Sequence, residues 1–317
     1  MIGKSVLIST ALTWDELEKR TRTGNMSTPQ SELRAQFIQG ALEAGALKFG
    51  QFTLKSGRIS PYFFNAGLLC TAPLLSSLAS SYASLIASEF THDSQPTFDV
   101  LFGPAYKGIP LAAATSLTLL QHNISTSFAY NRKESKSHGE GGTLVGASLE
   151  GKRVLVLDDV ITAGTAVREA LDAVKLAGGV VVGVVVALDR EEVAPGGTGS
   201  TMKDVEAEIK KRAGEWETGK APVVGEPKVR AAVRMRDLVS WLEDQGRTED
   251  VQKMKAYRDQ YGVKDITKII QRQNEIPMPI YAAGWLARHG KIYVIGSPCS
   301  RELEINRPEV SEDYMQR

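Results

Sequence analysis

Apolar residues along this chain fall into two alternating rhythms. After Pro29 and Ser31, Leu33, Phe37, Ile38, Ala41 and Leu42 recur at helical spacing and predict an amphipathic helix. Phe52-Thr53-Leu54 and Tyr62-Phe63-Phe64 flank the polar Lys55-Ser56-Gly57-Arg58, which predicts a hairpin. Leu74 to Phe90 reads as a helix of small and apolar residues. Phe98 to Phe102, Ile124 to Tyr130, Val154 to Leu157 and Val180 to Leu188 are short apolar runs without alternation, as expected of strands buried on both faces. Gly108 to Leu120 and Val167 to Ala177 read as helices between them, the second stopped by Gly178. Strands alternating with helices predict an α/β fold with a parallel sheet flanked by helices.

From Glu191 the character changes. Pro195, Gly196, Gly197 and Gly199 make a turn, and Met202, Val205 and Ile209 mark one helix. Ala213 to Lys228, with Pro222 and Pro227, reads as a surface insertion. Arg236 to Leu242 and Asp250 to Tyr261 read as two more helices. Residues 1 to 30 carry no sustained periodicity, and a mixed pattern follows Gly262. The expected organisation is an extension over 1–30, a domain over 31–263 with an insertion at about 213–228, and a second extension over 264–317 of unknown role.

Composition narrows the classes. The chain has 317 residues, 42% hydrophobic and 24% charged, with a net charge of +1. No global field draws it to nucleic acid or an anionic membrane, so any anion site has to be local. No run is long and apolar enough to span a bilayer. Asp15, Glu16 and Glu18 argue against a transit peptide. Cys70 and Cys299 lie far apart and in no metal spacing, which suits free thiols in a reducing compartment. The expected location is the cytoplasm.

The chemistry concentrates in Val154-Leu155-Val156-Leu157-Asp158-Asp159-Val160-Ile161-Thr162-Ala163-Gly164-Thr165-Ala166. A buried strand ends in two acids, a small-residue turn follows, and a helix begins. Backbone N–H groups of such a turn and helix start can hold a phosphate dianion. The two carboxylates can accept hydrogen bonds from vicinal hydroxyls. There is neither the Gly-Lys-Ser/Thr of a P-loop nor a GxGxxG, so ATP and NAD are not indicated. A second stretch, Asn131 to Gly142, interleaves Arg132, Lys133, Lys136 and His138 with three glycines and holds no apolar residue. It reads as a mobile loop able to close over a polyphosphate.

The acid-and-turn run resembles the 5-phosphoribosyl-1-pyrophosphate (PRPP) motif of the type I phosphoribosyltransferases. With Phe52 to Arg58, Ser60 to Asn65, Phe102 to Gly108, the Arg-Lys-x-x-Lys-x-His loop and Leu188-Asp189-Arg190, the chain from 31 to 263 resembles the orotate phosphoribosyltransferase family. Ser137 departs from it, standing where the family usually carries Asp. The resemblance implies the type I phosphoribosyltransferase fold, with a small N-terminal hood on the sheet. It implies transfer of phosphoribose from PRPP to orotate, with Mg2+ carried by PRPP and no dedicated protein cage for the metal. The homologous reactions with another base, or a non-catalytic PRPP sensor, are the alternatives.

Residue roles follow from the resemblance. Asp158 and Asp159 would hold the ribose hydroxyls and favour the developing cation. Val160, Ile161, Thr162, Ala163, Gly164, Thr165 and Ala166 would cradle the 5′-phosphate. Lys55, Tyr106, Lys107, Arg132, Lys133, Lys136 and His138 would contact PRPP, with Lys136 as main electrostatic catalyst and His138 in support. Phe63, Phe64, Thr162 and Arg190 would bind orotate. The family's loop reaches into a neighbouring subunit, which implies a homodimer. The stretch after Gly262 is too short for a decarboxylase domain, so a monofunctional chain is expected.

Overall fold

The computed structural model describes residues 29–54, 56–136, 142–161, 164–193, 199–216 and 225–263. The chain enters through helix α1 (Pro29–Glu43). Strands β1 (Leu47–Thr53) and β2 (Ile59–Phe64) then form an antiparallel hairpin, the expected hood. Helix α2 (Ala72–Glu89) leads through a short hairpin, β3 (Thr91–His92) and β4 (Gln95–Pro96), into β5 (Val100–Gly103). Next come α3 (Gly108–Thr118), β6 (Ser127–Lys136), β7 (Gly142–Gly146), β8 (Arg153–Val160) and α4 (Thr165–Leu176). The rest is β9 (Val180–Asp189), α5 (Thr201–Gly214), β10 (Lys228–Arg234), α6 (Met235–Asp244) and α7 (Thr248–Tyr261). No helix among the described residues is long and apolar enough to cross a membrane.

The main sheet runs β10-β9-β8-β5-β6-β7, parallel except for β7. Its central strands are apolar without alternation because both faces are covered. Leu155, Leu157, Val185 and Ala187 face a core built with α1, α2, α3, α6 and α7. Val154, Val156, Val184 and Val186 face a second core built with α4 and α5. Close packing of helix on sheet needs Gly183, whose Cβ would collide with the Phe90 ring.

Three elements differ from the sequence reading. The basic stretch after Tyr130 is not all loop. β6 continues to Lys136, and from Asn131 on it pairs with β7 alone. A polar run forms strand here because its backbone pairs with β7, while Lys133 and Glu134 remain exposed. The second is β10, which begins at Lys228, the last residue of the expected insertion. Val229, Ala232 and Val233 are buried, but Lys228 and Arg230 pair with Glu89 at 3.1 and 3.2 Å and disguise an edge strand as surface. Third, the β3–β4 hairpin is too short to show any period. Of the expected insertion, residues 217–224 lie outside the described set, as do both extensions apart from residues 29 and 30.

Candidate active site

Chain order splits the sheet. From β5 the path moves outward to β6 and β7, whereas from β8 it moves the other way, to β9 and β10. The helix after β5 packs on one face and the helix after β8 on the other. The strand ends therefore part between β5 and β8, and such a switch point leaves a crevice at the carboxyl ends. Both chemistry-bearing strand ends predicted from sequence open there.

On one side lies the loop from Gly103 to Gly108. A Cβ on Gly103 would overlap the Gly108 carbonyl, and one on Gly108 would sit 2.7 Å from the Leu157 carbonyl oxygen. Only glycine permits the loop to fold so tightly against β8. The Ala105 N–H donates to Asn131 Oδ1 at 2.8 Å, which ties the loop to β6. Tyr106 and Lys107 are thereby displayed at the crevice. Tyr106 is 65% exposed, and the Lys133 ammonium stands 5.5 Å over its ring.

On the other side β8 delivers Asp158 and Asp159. Lys107 Nζ donates to Asp159 Oδ2 at 2.7 Å. Asp158 is buried and accepts the Asp159 N–H at 2.9 Å, while the Tyr82 hydroxyl donates to the Asp158 carbonyl at 2.9 Å. Burial first, and the neighbouring Asp159 charge second, push the Asp158 carboxyl up to about 7, against a smaller downward pull from Lys107. Beyond Val160 and Ile161, Gly164 adopts a left-handed φ of 77° and leads directly into α4 at Thr165 and Ala166. The first N–H groups of that helix have no partner within it and suit an anion. Thr162 and Ala163 fall outside the described residues.

The basic arm is placed in part. Lys133 reaches the Tyr106 side. Arg132 has a buried Nη1 with no hydrogen-bond partner among the described residues, a donor suited to an anion. Lys136 closes β6, its backbone opposite Gly142, but its side chain lies outside the described set, and so do His138 and Lys55.

The expected base contacts separate. Strand alternation sends Phe64 inward, edge-on to Phe37 at 6.5 Å, so this half of the aromatic pair serves the core. Phe63 is 40% exposed and packs on Phe52 at 5.6 Å. Arg190, just beyond β9, is held over the Tyr62 ring at 4.6 Å and donates from Nη2 to Ser60 Oγ at 3.0 Å. The hood and the sheet thus meet at this guanidinium. Sequence reasoning missed Asn131, Tyr82 and Ser60 as supports. Asn131 alone had a signal, a polar amide at the junction of an apolar strand and a basic run.

Among the described residues no three His, Cys, Asp or Glu side chains converge as a metal cage. What the crevice offers is an acid pair, cations and a helix N-terminus, groups whose chemistry suits hydroxyls and phosphate anions.

Comparison with known proteins agrees. A family model described as "Phosphoribosyl transferase domain" matches residues 78–195. An orotate phosphoribosyltransferase of Acinetobacter baumannii is 48% identical over 239 residues, covering 75% of this chain and all of that protein. One from Vibrio parahaemolyticus is 47% identical over 230 residues, 72% of this chain and 97% of its own. Among solved structures, the Francisella tularensis orotate phosphoribosyltransferase superposes with a TM-score of 0.59 at 40% identity, covering 71% of this chain and 98% of that one. The fold and its crevice are those of a phosphoribosyltransferase. Within that class, the chain belongs to the orotate phosphoribosyltransferase family.

Proposed function

We propose that this chain transfers the 5-phosphoribosyl group of PRPP to orotate, giving orotidine 5′-monophosphate and pyrophosphate in pyrimidine biosynthesis. The observation that carries the reading is the acid pair at the switch-point crevice, with Lys107 against Asp159 on one side and the α4 N-terminus on the other.

As pyrophosphate departs, the anomeric carbon gains positive charge and the leaving oxygens gain negative charge. Asp158 and Asp159 accept hydrogen bonds from the ribose 2′- and 3′-hydroxyls, and their charge favours the oxocarbenium-like ribose. The turn from Val160 to Ala166 holds the 5′-phosphate through backbone N–H groups. Tyr106, Lys107, Arg132, Lys133, Lys136 and His138 face the pyrophosphate, with Lys55 as a further contact. Each charge of that kind in a closed site lowers the barrier by about 3 kcal/mol, on the order of a hundredfold in rate. Mg2+ carried on the donor's diphosphate supplies further charge to the leaving group. The ion would arrive bound to the donor, with the donor's own oxygens as most of its ligands.

Orotate is planar and anionic. Arg190 suits its carboxylate, and Phe63, the exposed member of the aromatic pair, suits its ring. Thr162 is a further candidate contact. The working assembly is a homodimer in the cytoplasm, with the loop that joins β6 and β7 in one subunit serving the site of the other, while Lys133 stays beside Tyr106 of its own subunit. Pyrophosphate release measured with orotate, uracil and adenine tests the reading. Release that requires orotate supports it, and release with uracil or adenine as fast as with orotate overturns it.

A further inference from the structure

We propose that Glu192 is a positioning residue for the base, holding the Arg190 guanidinium in the orientation that meets the orotate carboxylate. This rests on the reading of Arg190 given above. Glu192 divides its carboxylate between two arginines. Oε1 accepts Arg190 Nε at 2.8 Å, and Oε2 lies 3.4 Å from Arg58 Nη1. The side chains of Arg190 and Glu192 are each 13% exposed, so the pair is only weakly screened.

The Arg58 side of this bridge is anchored independently. Arg58 donates to the Val193 carbonyl at 2.9 Å and lies over the Tyr261 ring at 4.8 Å. The backbone that carries Glu192 is clamped by the end of α7. Val193 N–H donates to the Tyr261 carbonyl at 2.9 Å, and Val263 N–H to the Glu191 carbonyl at 2.9 Å. Arg190's other ties are to neutral groups, the Ser60 hydroxyl, the face of Tyr62 and the Tyr257 hydroxyl, which also lies beside Glu192. With the Nε side fixed by Glu192, the guanidinium plane is set, and its Nη edge can meet a planar carboxylate with two parallel bonds. Were the Glu192 charge lost, two guanidinium groups would repel across the gap. Arg58 would stay with its other anchors and Arg190 would turn away. Repulsion and lost order then outweigh the extra positive charge offered to the substrate.

The test is steady-state kinetics on the full chain with Glu192→Gln, varying orotate and PRPP separately. The orotate KM should rise about tenfold, equivalent to about 1.4 kcal/mol, the scale of ordering one long side chain. The PRPP KM and kcat should stay within about twofold, since the acid pair and Lys107 sit on β8 and on the loop after β5, and none of them bonds to Glu192. Glu192→Asp, which keeps the charge, should recover part of the loss. Arg190→Gln is the control and should raise the orotate KM more than Glu192→Gln does. An orotate KM unchanged or lowered in Glu192→Gln, with Arg190→Gln impaired, overturns the positioning role alone. An unimpaired Arg190→Gln overturns the Arg190 assignment itself. If Glu192→Gln does not fold, Glu192→Asp is compared directly with the unaltered chain. It keeps the charge but shortens the reach to Arg190 Nε, and should raise the orotate KM selectively by about threefold, a modest share of one hydrogen bond to a charged group, and no rise counts against the proposal.

Discussion

Asp158 gives the sharpest test because its environment fixes both the sign and the range of the effect. Its carboxyl is raised to about 7, first by burial and then by the charge of Asp159. An acid that must accept hydrogen bonds from ribose hydroxyls and favour a developing cation works as its anion. With a midpoint near 7, the ionised fraction falls from about nine-tenths at pH 8 to about one-tenth at pH 6. The kcat/KM for PRPP reports groups of the free enzyme and should fall about tenfold between those values. The donor's phosphates also titrate there, so the profile is divided by that of Asp158→Asn, which keeps an oxygen acceptor but carries no charge. The ratio should retain the tenfold slope, and a flat ratio from pH 6 to 8 would refute the reasoning. Stability follows with a definite sign. The folded-state value lies above the unfolded one, so the contribution is fully present below about pH 4 and is lost as pH rises through about 7. At pH 8 the wild-type chain carries a buried charge that Asp158→Asn lacks. The variant should melt at a higher temperature there, with the gap closing towards pH 4.

Three further outcomes follow from the geometry. Lys107→Met removes the cation 2.7 Å from Asp159 and should cut kcat/KM for PRPP on the order of a hundredfold in steady-state assays, and a loss below about threefold would count against its role. Tyr82→Phe removes the buried donor to the Asp158 carbonyl and should cost about 1 kcal/mol in urea unfolding, whereas an unshifted midpoint would show that the bond contributes nothing. Gly183→Ala drives a methyl group into the Phe90 ring and within 2.9 Å of the Lys228 carbonyl oxygen, and should destabilise by about 1–3 kcal/mol by the same measurement, with neutrality contradicting the packing.

The central strands were legible because burial on both faces leaves a continuous apolar run, as in Val154 to Leu157 and Val180 to Leu188. The crevice was legible for a related reason. Glycines at 103, 108 and 164 mark close approaches or a left-handed turn that other residues resist. What escaped was structure supported by partners distant in sequence. Strand β10 hides its period behind Lys228 and Arg230, whose partner Glu89 lies on another element. The extended β6 has no apolar face to reveal it. Phe63 and Phe64 look equivalent as letters, but the pleat sends them to opposite sides. Glu192 carries no signal in its own neighbourhood, because its partner Arg58 comes from the hood, far away in sequence.

The central claim is that the carboxylate pair ending β8 and the turn into α4 grip the sugar phosphate. Crystals of the chain grown with PRPP and Mg2+ test it most directly. The ribose hydroxyls should lie within hydrogen-bonding distance of Asp158 and Asp159, with the 5′-phosphate against residues 162–166. Density for the donor elsewhere on the molecule, with that crevice holding only solvent, would contradict the account.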